Sequence, residues 1–272
     1  MPLNLVILTY ESKQANLMTR RLLTEFSGQV RGIMASDVII PGKSTLGAAW
    51  FLLRKTGLGF VGMKGAEIIL GRITPPVMKL LGRAPRIPSL AQMSAEFGVP
   101  MIHAKNVNSA ESLAVLEQWQ PDLVVSVYLN QLIKKPIIEM ASAGVINVHP
   151  ALLPRNRGLF PYFWALANGD TETGVTVHWV DTRFDTGEIL VQRAFPIKPD
   201  DTVLSLANQS AQLGADLLVE AIRAIESGNP PRVPQNSAAA SYFSWPTPEA
   251  VRRFRQRGRR YGSLRELWRE VT

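Results

Sequence analysis

Continuous apolar runs of strand length punctuate the first part of the chain: Leu3 to Leu8, Val30 to Met34, Val99 to His103, Asp122 to Tyr128 within PDLVVSVY, and Val145 to Val148. Between them, Asn16 to Phe26, the segment SLAQMSAEFG and Pro136 to Ala141 space their apolar residues as helices do. Strands that are apolar on both faces and alternate with helices predict an α/β fold with a doubly wound, mainly parallel sheet. Val175 to Val180 and Glu188 to Phe195 read as two further strands joined by the loop DTRFDTG. A long helix from Val203 to Ile225 follows, started near Asp201 and Thr202 and stopped by Gly228 and the prolines beyond it. From Asn229 onward Pro, Ser and Ala increase, so the chain is expected to leave the main domain there. This divides it into a main domain, residues 1–228, and a short carboxyl-terminal extension, residues 229–272.

Residues 41–88 break the alternation. LGAAWFLL, GLGFVGM, AEIILG and VMKLL are apolar pieces interrupted by Arg54, Lys55, Lys64, Arg72 and Lys79. No uninterrupted run reaches the roughly 18 apolar residues of a membrane span. The insert is expected to form one or two helices, either buried in an enlarged crossover or lying on a membrane surface through Trp50, Phe51 and Phe60. Two phosphate-loop look-alikes fall within or beside it. GLGFVG, Gly57 to Gly62, has the dinucleotide spacing but not the position between a first strand and its helix, and no acid stands some twenty residues on. PGKST, Pro41 to Thr45, lacks its leading glycine, since position 37 is Asp37.

Charge and composition narrow the function. The chain has no cysteine, which removes disulfides, thiolate metal sites and cysteine nucleophiles. The first residues run straight into a strand without a charged leader, so a cytoplasmic address is expected, with peripheral membrane contact as an addition. The net charge of +8 is gathered at Arg252, Arg253, Arg255, Arg257, Arg259, Arg260, Arg265 and Arg269. Such a run is a solvated tail or terminal helix, or a contact for an anionic membrane, RNA or an acidic partner, with the membrane favoured over RNA.

The chemistry concentrates in GVINVHPALLPRNRG, residues 144–158. Side chains alternate along a strand, so Asn147 and His149 share one face, and Pro150 ends the strand just beyond them. That places the pair at a strand's carboxyl end, where open α/β sheets hold ligands. Asp185 sits on the tight loop DTRFDTG. An amide donor, an imidazole and a carboxylate make an acyl-transfer site without a covalent nucleophile. Arg155 and Arg157 are candidates for an anionic group or for holding the loop. His178 alternates within TVHWV and is expected on a strand face. His103 ends a strand with no evident partner, and the three histidines lack the spacing of a metal site, so none is expected.

INVHPALLPRNRG, GDTETGVTVHWV and DTRFDTGEIL, in this order and spacing, resemble the folate-dependent formyltransferases, the family of methionyl-tRNA, glycinamide ribonucleotide and nucleotide-sugar N-formyltransferases. The resemblance spans about Pro121 to Glu226. It implies a Rossmann-like formyltransferase fold and transfer of a formyl group from 10-formyltetrahydrofolate to a primary amine. It puts the family's catalytic residues on Asn147, His149 and Asp185. It also implies that the pterin enters near Tyr128, Asn130, Gln131, Leu132 and Ile133 and meets the backbone at Thr182, Arg183 and Phe184. After the first strand LTYESKQANL has no glycine-rich phosphate loop, and only a short stretch follows Gly228 where the transfer-RNA enzymes carry a barrel. By subtraction the expected acceptor is a small-molecule amine, an amino sugar on a nucleotide or a lipid. The alternatives are a methionyl-tRNA formyltransferase-like enzyme, a formyltetrahydrofolate hydrolase and a non-catalytic relative that binds RNA or membrane.

Overall fold

The computed structural model describes residues 2–37, 45–80, 87–263 and 266. The first strand, β1 (Leu5–Tyr10), is buried over Leu5 to Thr9, which suits the centre of a sheet covered on both sides. After α1 (Lys13–Glu25), β2 (Val30–Ser36) pairs parallel with β1. The chain then runs through α2 (Thr45–Leu80) and α3 (Leu90–Phe97) to β3 (Met101–Ala104), parallel to β2 at the sheet edge. Beyond α4 (Ala110–Trp119), β4 (Leu123–Val127) returns to the other side of β1. Past α5 (Lys135–Met140), β5 (Gly144–His149) lies parallel to β4. A short strand, β6 (Arg157–Gly158), and α6 (Pro161–Asn168) precede β7 (Glu172–Trp179) and β8 (Ile189–Pro196), both antiparallel to their neighbours. The sheet order is β3-β2-β1-β4-β5-β7-β8. The expected mainly parallel, doubly wound sheet is therefore present, and its direction of winding reverses between β1 and β4.

Two apolar layers sandwich the sheet. On one face Leu5, Ile7, Val125, Ile146, Val148 and Val177 meet α1, α3 and the long helix α7 (Val203–Glu226). On the other, Val6, Leu8, Val124 and Val145 meet α4 and α5. Alternation along β5 sends Ile146 and Val148 to the first layer and Asn147 and His149 to the second face. There α5 ends, and loops cover the strands in its place.

The chain beyond Asn229 turns back onto the domain. Val233 forms an antiparallel bridge to Ile189, β9 (Tyr242–Phe243) pairs parallel with β6, and α8 (Pro248–Gln256) packs on α6. In α8 the residues Ala250, Val251 and Phe254 fall on one buried stripe, while Arg252, Arg253 and Arg255 point outward. Together with α2 and α6 this builds an aromatic body in which Phe163 stands 5.0 Å from Phe254 and Phe60 stands 5.4 Å from Tyr261.

GLGFVG lies inside α2, where Gly57 with φ 77° breaks the helix into two, so its glycines shape a kink rather than a nucleotide turn. Residues 41–44 of PGKST, and Arg265 and Arg269 of the arginine-rich stretch, lie outside the described residues. The structure buries part of the surface on which the membrane reading of the insert relied. Phe60 is 2% exposed and Phe51 sits edge-on to Trp245 at 5.8 Å, which leaves only Trp50 of that trio fully open to solvent. Among the described residues no helix is long and apolar enough to cross a membrane.

Gly214 marks the closest approach of α7 to the sheet. A Cβ there would lie 3.1 Å from both Met18 Sδ and Val148 Cγ2. Gly214→Leu should therefore force α7 away from β5, at a cost of about 1–3 kcal/mol. Denaturant unfolding measures this, and an unchanged midpoint would contradict the close packing.

Candidate functional site

Asn147 and His178 are direct partners across the antiparallel β5–β7 ladder, so their side chains share a face. The Asn147 amide donates from Nδ2 to His178 Nε2 at 3.1 Å. His178 in turn donates from Nδ1 to the Trp179 carbonyl at 2.7 Å, and a carbonyl accepts only, so the proton on Nδ1 leaves Nε2 as the acceptor. His149, two residues beyond Asn147, donates from Nε2 to the Asn156 carbonyl at 2.9 Å. Its Nδ1 faces Asp185 Oδ1 at 3.5 Å, and the same oxygen is 3.6 Å from His178 Nε2. One carboxylate oxygen thus lies near two buried imidazoles.

Local chemistry explains how Asp185 arrives there. Within DTRFDTG, Asp181 accepts the Arg183 N–H at 2.9 Å and the Thr186 hydroxyl at 2.6 and 2.7 Å, which closes the loop on itself. Asp185 is held at φ 54°, and its Oδ2 accepts the Gly158 N–H at 2.8 Å. Gly158 has φ 93°, and the Phe243 carbonyl oxygen occupies the place a Cβ would take, so glycine is required. Burial alone would raise the Asp185 carboxyl. The His149 charge and the Gly158 N–H outweigh it and hold the group well below the usual carboxylate range.

Left-handed backbone gathers at this site. Tyr128, Asn156, Phe160 and Asp185 all have positive φ without being glycine, a conformation that costs of order 1–3 kcal/mol each and persists only where neighbours enforce it. Tyr128 follows β4 and accepts the Tyr162 hydroxyl at 2.6 Å, and burial pushes both phenols above their ordinary values.

The structure brings Asn147, His149 and Asp185 into mutual reach. The other candidates divide. Asn130 accepts from Ser36 Oγ, Gln131 holds Ser36 Oγ and Val107 N–H, and the Leu132 carbonyl accepts from Asn108. Ile133 is buried in the core, which leaves its side chain no free surface, while Thr182, Arg183 and Phe184 are exposed beside Asp185. Arg155 pairs with Glu172 at 3.0 Å and Arg157 bonds Gln235, so both hold the loop. His103 of β3 pairs with Asp37, just after β2, at 2.7 Å on the far side of the sheet. His178 is the site residue that sequence reasoning missed. Its alternation in TVHWV was legible, but its pairing with Asn147 depends on the register of β5 against β7.

The family model described as formyl transferase matches residues 77–222. Methionyl-tRNA formyltransferase from Methylacidiphilum infernorum is 38% identical over 195 residues, which are 68% of this chain and 61% of that protein. The same enzyme from Syntrophus aciditrophicus is 37% identical over 155 residues, 57% of this chain and 50% of that protein. Among solved structures, an N-formyltransferase from Helicobacter canadensis in complex with folinic acid and dTDP-3-aminofucose superposes with a TM-score of 0.58 at 21% identity, covering 89% of this chain and 70% of that one. Glycinamide ribonucleotide transformylase 1 from Symbiobacterium toebii gives 0.57 at 18%, covering 85% and 94%. These structures share the fold. The protein belongs to the formyl transferase family, and it spans between half and about three fifths of the length of the methionyl-tRNA formyltransferases named here.

An unfolded aspartate titrates near about 3.9. The folded Asp185 value lies below that, so its ionised contacts contribute stability that is complete above the unfolded value and is lost as pH falls toward the folded one. The stability difference between the wild type and Asp185→Asn should therefore shrink as pH is lowered from about 5 to about 2. Denaturant midpoints taken through that range check it, and a constant difference would remove the ionised carboxylate from the account.

Proposed function

We propose that the protein transfers a formyl group from 10-formyltetrahydrofolate to a primary amine. The observation that carries the reading is the meeting of Asn147, His149 and Asp185 at the end of β5, in a chain of the formyl transferase family. The amine nitrogen attacks the formyl carbon, and a tetrahedral oxyanion forms. The bond from that carbon to N10 of the folate then breaks, and the proton leaving the amine balances the one N10 takes up. Asn147 has one amide N–H on His178 and a second one free to donate to the oxyanion. His178 thereby fixes which way the amide points. His149 stands beside the amide with Nε2 on the Asn156 carbonyl and Nδ1 toward Asp185, so it acts on the oxyanion through positive charge when protonated rather than through a free N–H, and Asp185 gives the departing proton a place to pass.

The folate is assigned to the two loops at this end of the sheet, Tyr128, Asn130, Gln131, Leu132 and Ile133 on one side and Thr182, Arg183 and Phe184 on the other. The buried side chain of Ile133 restricts that residue to backbone contacts. The half-exposed ring of Phe184 beside Asp185 supports a flat heterocycle entering there.

For the acceptor, the relatives' identity favours an amine carried on a transfer RNA over the amino sugar that the sequence features suggested. A second observation agrees. The exposed Arg252 and Arg253, and Arg255 and Arg260 beside a cavity of about 260 Å³, offer guanidinium groups to phosphates, while Arg259 is held by the Lys198 and Pro199 carbonyls. The amino-sugar reading rests on shared fold alone. Incubation with 10-formyltetrahydrofolate and either methionyl-tRNA or a nucleotide-linked amino sugar, read by product mass, separates them. Formylated methionyl-tRNA is the expected product, and Asp185→Asn should lower its rate of formation by about a hundredfold or more. Formylation of the sugar alone overturns the acceptor, and release of formate without either product points to hydrolysis.

A further inference from the structure

The segment after α7 crosses the site, and two of its side chains close on the two groups that grip His149. Gln235 donates from Nε2 to the carbonyl oxygens of Asp185 at 3.0 Å and Gly187 at 2.7 Å. Its Oε1 accepts from Arg157 Nε at 3.1 Å and Nη2 at 2.6 Å. Ser241 Oγ accepts the Asn156 N–H at 2.8 Å. Asp185 supplies the carboxylate that faces His149 Nδ1, and Asn156 supplies the carbonyl that accepts from Nε2. Both residues sit in left-handed backbone, at φ 54° and 56°, from which an L residue relaxes unless held.

We propose that Gln235 and Ser241 are positioning residues for formyl transfer. They fix the Asp185 carboxylate and the Asn156 carbonyl against the two nitrogens of His149, so that the ring keeps one orientation while it acts. The inference rests on the reaction proposed above. Neither side chain faces the reacting atoms, and each works through the backbone of a residue that touches His149. A glutamine amide suits the task because two N–H groups serve two carbonyls while one oxygen accepts both guanidinium donors. Glutamate at 235 would keep the Arg157 contact and lose both donors, which separates holding Arg157 from holding Asp185.

The test compares Gln235→Glu, Gln235→Ala, Ser241→Ala and Ser241→Thr in the full chain, with Asn236→Ala on the neighbouring exposed residue as control. The first three should lower kcat by about 10- to 100-fold with the KM for the acceptor unchanged, because a small misplacement of a catalytic group costs turnover rather than binding. Ser241→Thr, which keeps the hydroxyl, and Asn236→Ala should behave as the wild type. In the resting protein the His149 ring signal in NMR, assigned by its loss in His149→Gln, should move in the same three variants and in neither of the others. A wild-type kcat in Gln235→Glu, or an unmoved His149 signal in folded Gln235→Glu and Ser241→Ala, overturns the proposal. If the Gln235 variants do not fold, the contrast between Ser241→Ala and Ser241→Thr decides it. If the wild type transfers no formyl group, the reaction assignment is what fails, and the His149 signal still decides the positioning.

Discussion

A carboxylate taken out of water needs charges and hydrogen bonds in place of its hydration, and Asp185 finds them in the His149 imidazole and the Gly158 N–H, with His178 packed beside it. That requirement organises the surroundings. His149 and His178 must stand on one face of adjacent strands, Gly158 must bring its amide within reach, and the DTRFDTG loop must turn through a left-handed residue to aim the carboxylate inward. Remove the carboxylate and His149 loses the group that its Nδ1 faces, while Asn147 keeps its hydrogen bond to His178.

The sheet makes room for this arrangement by ending its parallel order. Four parallel neighbours to one side are covered by helices on both faces, as crossover connections dictate. The last two strands run antiparallel and need no crossover helix, so the polar face of β5 and β7 is left to loops. Thr176 and Gln192 anchor the Leu153 turn from below, and the chain after α7 closes the site from above.

The aromatic body built by α2, α6 and α8 extends this covering away from the sheet. Trp245 stands 5.2 Å from Phe160, the residue that leads the loop into α6, and 5.8 Å from Phe51 of α2. Through these rings the insert and the segment after α7 are mechanically joined to the loop that carries Asn156 and Gly158. The arginines of α8 are then held on a packed helix rather than on a solvated tail, which gives their charge a fixed direction.

Short-range pattern determined a good deal here. Apolar runs marked the strands, their alternation put Asn147 and His149 on one face, and the breaker Pro150 placed them at a strand end, because period and chain stiffness are properties of neighbours. The stripe of Ala250, Val251 and Phe254 that seats α8 was masked by the three arginines among its nine residues. His178 joined the site only through the register that pairs it with Asn147. Gln235 meets Asp185 across fifty positions and Ser241 meets Asn156 across eighty-five. Contacts of that reach leave no periodic trace in the chain. Their partners are chosen when loops, strand edge and returning segment compete for the same buried hydrogen bonds, and only the tertiary structure settles that competition.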